Sequence, residues 1–213
     1  MTYDLSHAAA LATGPNTFTP AFFNAPAGVA FSAPSVTVPA GGSATVDVTI
    51  TVNAGLADLS PYGGYIVFTP QGGGQTYRVP YAGIKGDYQA KAVLTSGGSG
   101  FPLLGWSPDG VNFGLAAAGD VFTLQGFDIP YLLVHLDHQS RLFRVEIFAE
   151  NGRAWHRAYN EDYMPRNSTS GGFFAFGLDG TTFSGNGNKT WTLPDGTYLT
   201  GITENMVGPA PTI

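Results

Sequence analysis

The chain has no cysteine, which excludes disulfides, thiolate metal sites and cysteine nucleophiles. Charge is scarce as well. Only 11% of the 213 residues are charged, too few for a helical protein laced with ion pairs. They divide into 9 Lys and Arg against 15 Asp and Glu, a net charge of −6 at pH 7, and no basic cluster interrupts that balance. Such a surface repels a polyphosphate, so no nucleic-acid partner is expected. Long apolar runs are missing too. The best is Tyr131-Leu-Leu-Val-His-Leu136, far short of the roughly 18–20 residues a membrane helix needs, and no membrane span is expected. The start, Met1-Thr-Tyr-Asp-Leu-Ser6, has neither the positive stretch nor the apolar stretch of a signal peptide. In a secreted protein this start is a processing boundary.

What is present is turn and core material. Thirty glycines and 15 prolines make about a fifth of the chain. That is above ordinary usage but below the roughly 25–30% that marks low complexity. With 43% hydrophobic residues and 15 Phe there is ample material for packing. The expectation is a turn-rich all-β protein, either one large domain or two of about 100 residues each.

Several segments carry the strand signal. Ala44 to Val52 alternates, with Val46, Val48, Ile50 and Val52 on one face and Thr45, Asp47, Thr49 and Thr51 on the other, which predicts a half-buried strand. Two apolar runs around the turn Pro70–Gln75 predict a hairpin from Tyr65 to Tyr81, and another strand is expected from Asp87 to Leu94. Phe18 to Phe31 reads as an irregular covering segment, and 54–61 as a break with one possible helical turn. Tyr3 to Thr17 fits either an early strand or a short helical turn. Pro130 to Leu136 and Arg141 to Phe148 read as two strands around the turn Asp137–Ser140. Pro194-Asp-Gly196 is a further turn, because proline presets φ and glycine permits φ > 0. No period of 20–50 residues repeats, so a solenoid is excluded.

One string is specific enough to compare with a family. Gly63-Gly-Tyr-Ile-Val-Phe-Thr69 followed by Tyr77-Arg-Val-Pro-Tyr-Ala-Gly-Ile-Lys-Gly-Asp-Tyr88 resembles the fibronectin type III-like module that lies behind the catalytic domain in secreted subtilisin-like serine proteases. The opening, from Thr2-Tyr-Asp-Leu-Ser-His7 to Ala10-Leu-Ala-Thr-Gly-Pro-Asn-Thr-Phe18, is similar to the start of that module, which favours the strand reading there. The stretches 129–147, 155–176 and 179–198 are similar to the region C-terminal to the module in bacterial and fungal members. Lys189 to Tyr198, with its Pro-Asp-Gly-Thr-Tyr ending, also resembles the Ig-like fold of flagellar-hook-capping type. After Tyr198 the family continues into apolar closing strands, whereas here the chain is short and polar to Ile213. The resemblance implies two β-sandwich modules, fibronectin type III-like and Ig-like, packed through an ordered crossover. It divides the chain into a module at 1–94, a connector at 95–128 and a second module at 129–213 whose last strand is truncated, altered or supplied by other residues. The connector opens as a flexible tether, Thr95-Ser-Gly-Gly-Ser-Gly100, and continues with Phe101, Trp106, Phe113, Phe122 and Phe127, expected to line a seam between the modules.

Candidate chemistry is thin. The family's nucleophile string Gly-Thr-Ser-Met-Ala and its His-Gly-Thr-His are absent, and Ser32, Ser35 and Ser43 sit in Pro/Gly-rich turns, so no catalytic residue and no cofactor are assigned. His135 and Asp137 share a strand face about 7 Å apart. With Glu146 or His156 they are weak candidates for a metal, against the reading that His135 pairs across the hairpin with Glu146 and that Asp137 and His138 are turn residues. Asp179 heads a loop to Asn188 with oxygen ligands at short spacing, a weak calcium candidate without the terminal bidentate Glu of an EF-hand. Asn167 and Asn188 stand in N-glycosylation sequons that matter only in a eukaryotic secretory host. Trp106, Trp155, Trp191, Tyr159 and Tyr163 suit either a sugar-stacking platform or a core. Arg153, His156, Arg157 and Arg166 form a local cationic group beside Glu161 and Asp162, read as a surface ion-pair patch.

The expected function is that of a non-enzymatic accessory region of a secreted, extracellular protease, whose partner is the subtilisin-like catalytic domain of the parent chain. Two other readings stay open. One is a module binding a protein or polysaccharide surface. The other is a structural protein that self-associates through edge strands.

Overall fold

Alternation and turn chemistry build nearly every element of the computed structural model, which describes residues 1–206. The one helical element among them is a single 3-10 turn at Tyr88–Ala90. The chain divides into two units, Met1–Lys91 and the remainder from Ala92 onward.

The first unit contains β1 (Thr2–Ala9), β2 (Ala12–Thr13), β3 (Phe22–Phe23), β4 (Gly28–Phe31), β5 (Ser35–Thr37), β6 (Val48–Thr51), β7 (Pro61–Pro70) and β8 (Tyr77–Ile84). Its main sheet is antiparallel in the order β5-β1-β7-β8, with β2–β3 and β4–β6 as separate pairs. The expected hairpin is β7–β8, with Tyr65 facing Pro80. Gly73 and Gly74 take φ of 79° and 121° in its turn, which an L side chain resists. Pro80 is tolerated because β8 is an edge strand, where a missing N–H costs no ladder bond.

Two strand readings are corrected here. Of Ala44–Val52 only Val48–Thr51 is ladder-paired, because its partner, Gly28–Phe31 in the segment read as irregular, is four residues long. The apolar face is correspondingly thinly covered, with Ile50 36% exposed. Of Asp87 to Leu94 only the last residue enters a strand. The Asp87 carboxylate accepts the Gln89 N–H at 2.9 Å and caps the 3-10 turn instead, a local bond that competes with pairing.

The second unit contains β9 (Leu94–Thr95), β10 (Leu103–Trp106), β11 (Gly114–Leu115), β12 (Tyr131–Leu136), β13 (Ser140–Ala149), β14 (Ala154–Met164), β15 (Phe174–Gly177), β16 (Thr181–Phe183), β17 (Thr190–Thr192) and β18 (Tyr198–Met206). One sheet runs β11-β10-β12-β15 with β9 also on β12, and the other β17-β16-β14-β13-β18. All six residues of β12 are buried, because both of its faces are covered. Leu132 and Val134 meet Phe143, Val145 and Phe176 between the sheets, while Tyr131 and Leu133 meet Phe101, Ile129 and Phe113 on the opposite side. Phe143 stacks on Phe176 at 4.8 Å, and Tyr159 meets the same ring edge-on at 4.9 Å.

β12 and β13 are therefore not the hairpin the sequence suggests. They lie in different sheets, and Asp137–Gln139 carries the chain from one to the other. A strand apolar at every position is driven to the centre of a two-faced layer, whereas β13 alternates and needs cover on one side only. The stretch read as a connector contributes β10 and β11 to this unit, and its Phe101 and Phe113 cover β12. Trp106 and Phe127 are 45% and 54% exposed. The Gly/Ser stretch is tied down as well: the amides of Gly100 and Phe101 both donate to Ser96 O at 2.9 Å. The polar run from Tyr198 pairs along β13 from Ala149 to Ser140, and residues 207–213 lie outside the described residues.

One turn of this unit reports on acid. The Asp109 carboxylate accepts the Asn112 backbone N–H at 2.8 Å, its side-chain amide at 2.7 Å and the Val111 N–H at 2.9 Å. These bonds, those from Asn112 first, hold its pKa down to about 2. A depressed carboxyl stabilises the fold fully above the ordinary aspartate range and loses that contribution as pH falls toward 2. Carboxyl NMR titration should place the Asp109 midpoint near 2, with the 107–112 amides shifting in step. A midpoint in the ordinary range near 4 contradicts the hydrogen-bonded turn.

Candidate functional site

His135 is fully buried at the end of β12, and each ring nitrogen faces an oxygen acceptor. Nδ1 lies 2.5 Å from Gly172 O, and Nε2 lies 3.0 Å from Asp137 Oδ1. The ring stacks against Phe101 at 6.2 Å, and Gly97 is backed so closely that a Cβ there would sit 3.1 Å from the imidazole. His135 and Asp137 are thus brought together, while Glu146, the expected cross-hairpin neighbour, lies 3.8 Å from Arg157 in the other sheet. The geometry is that of a polar clamp between a strand end and the Gly172 loop. Among the described residues no group of three His, Asp or Glu converges for a metal. A chelator should leave the melting temperature unchanged; a fall of several degrees that one specific ion restores would sink this, since structural metal contributes folding energy outright.

Asp179 serves its own turn, accepting the Thr181 N–H at 2.8 Å. Farther along that loop Ser184 donates to Asn186 Oδ1 at 2.6 Å, and the same oxygen accepts the Asn188 N–H, so these oxygens are committed to local turns. The two sequon asparagines part company. Asn188 is exposed, but Asn167 is only 4% exposed and accepts the Leu136 N–H on Oδ1 at 2.7 Å. A glycan on Asn167 requires opening the corner where it holds the end of β12.

The aromatic set separates in the same way. Tyr159 belongs to the core: its phenol donates to Gly177 O, and burial, then the Asp179 carboxylate, holds its pKa above the ordinary tyrosine range. Tyr163 and Trp106 are exposed, the indole of Trp106 lying against Gly114, where a Cβ would come within 2.8 Å of it. Trp155 and Trp191 come together around His156, which stacks on Trp191 at 3.8 Å and 10° and meets Trp155 edge-on at 5.2 Å.

This last cluster borders a cleft of about 130 Å³ whose lining includes Glu146, Ile147, Trp155, His156, Arg157 and Phe183. The backbone explains why it forms. Phe148 faces Ala154, Glu146 faces Arg157 and Val145 faces Tyr159, so β14 spends one extra residue in each of two successive steps. Two β-bulges in four residues bend the strand and re-aim its side chains, a device concentrated beside binding sites. Arg157 reaches Glu146 with Nε and donates from Nη1 to Gly185 O at 2.9 Å. The Trp155 indole Nε1 is buried with no hydrogen-bond partner among the described residues. Such an orphan donor costs about 1–3 kcal/mol, so it calls for an acceptor. Sequence reasoning singled out Trp155, His156 and Arg157 but not Phe183, which arrives through a single β14–β16 pairing, Arg157 to Phe183. No local signal announces that pairing.

Comparison with known proteins bears on the first unit. The family model of an Fn3-like domain matches residues 1–82, which supports a fibronectin type III-like region there, a non-catalytic type of module. No curated protein matches the chain.

Proposed function

We propose that this chain is a non-catalytic accessory region of a secreted subtilisin-like serine protease, one that stabilises or positions the catalytic domain or its substrate. The observation that carries the reading is that the Fn3-like match, 1–82, overlaps most of the strings, from Thr2 to Tyr88, that resemble the module behind such catalytic domains. The nearly all-β architecture agrees with a scaffold, and the chain contains neither the Gly-Thr-Ser-Met-Ala nor the His-Gly-Thr-His string. The partner is then the catalytic domain of the same polypeptide, and the location is extracellular.

Sequencing the native transcript around Met1 tests this: an upstream reading frame carrying an Asp, His and Ser triad supports it, and a coding region without one overturns it. The chain itself should not react with a fluorophosphonate probe, because a serine reacts only when a base and an oxyanion donor are placed beside it. Labelling at a single serine, abolished by heating, would contradict the non-catalytic assignment.

A further inference from the structure

We infer that the β2–β3 hairpin of the first unit is a lipid-contacting spike, which inserts Leu11 and Phe22 into the interface of a zwitterionic phospholipid surface. Its pairing is the first argument. Ala12 faces Phe23 and Thr13 faces Phe22, so Leu11 and Phe22 share one side of the hairpin and Phe23 lies with Ala12 on the other. Only Ala12 is covered, at 1% exposure, and the Ala10 N–H ties the root to Gly63 O at 3.0 Å. Leu11, Phe22 and Phe23 are 60%, 69% and 40% exposed. Large apolar side chains are thus bare on both sides of one anchored hairpin, a concentration that marks a contact site.

Charge and area select the occupant. From Ala8 to Val46 there is no Asp, Glu, Lys or Arg, and the first Lys or Arg of the chain is Arg78, so an ionic partner finds nothing to pair with here. At roughly 150–250 Å² for a whole aromatic side chain, the three residues offer roughly 300 Å². A stable protein interface takes about 800 Å² from each partner, so a second copy of the chain is poorly served. A lipid interface needs neither matched shape nor a minimum area, because each side chain partitions on its own. The backbone is prepared for leaving water as well. Asn16 Oδ1 accepts the Phe18 and Thr19 N–H groups at 2.9 and 3.1 Å, and Asn16 Nδ2 donates to Thr19 Oγ1 at 2.9 Å. Pro15 and Pro20 remove two more donors from the same turn. A turn whose donors are met internally loses less on entering an apolar medium. The net charge of −6 opposes an anionic surface, which leaves a zwitterionic one.

Flotation of the full chain with phosphatidylcholine vesicles tests this. Half of the protein should float at on the order of 1 mM lipid, weaker than a myristoyl anchor. Phe22→Asp should lower partitioning by roughly tenfold or more. Phe127→Asp, at an exposed ring of the second unit, should leave it unchanged. Adding phosphatidylserine to the vesicles should weaken binding at low salt. Phe22→Trp supplies a readout that survives if the Asp variant does not fold. Its emission should be quenched by brominated phosphatidylcholine, whereas the wild type, whose Trp106, Trp155 and Trp191 all lie in the second unit, should not be quenched. The inference is overturned if the chain does not float at about 10 mM lipid. It is equally overturned if Phe127→Asp lowers flotation as much as Phe22→Asp, if phosphatidylserine strengthens binding, or if bound Phe22→Trp is not quenched. A wild-type dimer in sedimentation that Phe22→Asp dissolves would assign the hairpin to a second copy instead.

Discussion

Phe143→Ala should cost the second unit about 3–5 kcal/mol, the largest loss expected of a single substitution in this protein. Phe143 is completely buried, stacked on Phe176 at 4.8 Å, and it joins β13 to the facing sheet through Leu132 and Val134. Truncation removes the transfer energy of the ring and leaves a cavity that two paired strands on either side of β13 cannot close. Phe127→Ala is the matched control. That ring is more than half exposed, so its loss should stay within about 0.5 kcal/mol. Urea denaturation monitored by near-UV ellipticity measures both. A loss below about 1 kcal/mol at Phe143 would mean that the two sheets do not share this core.

The contrast between those two residues indicates what was legible in the sequence. Both stand in segments dense in large apolar residues, and composition alone assigns both to a packed interior. For Phe143 the alternation Phe143, Val145, Ile147 fixed the inward face, and that face is where the core lies. Phe127 sits in a segment with no period, where sequence reasoning has only a count of aromatics to use. The same limit explains β12 and β13. Their strand character was legible from residue type, but which sheet each joins depends on Leu133 meeting Leu103 and on Val134 meeting Phe174, pairings of long sequence separation. The β14 cleft was the least legible feature. Bulges carry no composition mark at Trp155 to Ala158, and the neighbour Phe183 is brought in by topology.

The His135 cluster was legible in part. The spacing of His135 and Asp137 predicts one shared face, and the side chains do meet, at 3.0 Å. What spacing could not convey is the third member, Gly172 O, supplied by a loop 37 residues away. That carbonyl, with Phe101 over the ring, makes the pair an interior clamp whose histidine has no solvent-facing surface.

Gly64→Ala should destabilise the first unit by roughly 1–3 kcal/mol, and the reason lies in a motif visible from the outset. Gly63-Gly64 opens the string that resembles the fibronectin type III-like module, yet the sequence does not say why two glycines stand in the middle of a strand. In β7, Gly64 pairs with Ala9 on β1 and with Tyr81 on β8. A Cβ on Gly64 would lie 2.7 Å from Ala8 O and 2.9 Å from both His7 Nε2 and Tyr81 Oη. The last two atoms are themselves hydrogen-bonded at 2.7 Å, a cross-strand link that passes over the glycine. A side chain there must break that link and push backbone away from backbone, and the second of these cannot be relieved by a rotamer change. Gly83→Ala supplies the comparison, because its Cβ would meet only the ring of Tyr62, which can swing aside, and its cost should be smaller. Tyr81→Phe in the Gly64→Ala background should not restore stability, since the Ala8 carbonyl stays in place. Hydrogen exchange at the β1 and β7 amides measures the effect where it arises. Full rescue by Tyr81→Phe would show that the side-chain link, and not the close approach of β1, is what requires glycine at this position.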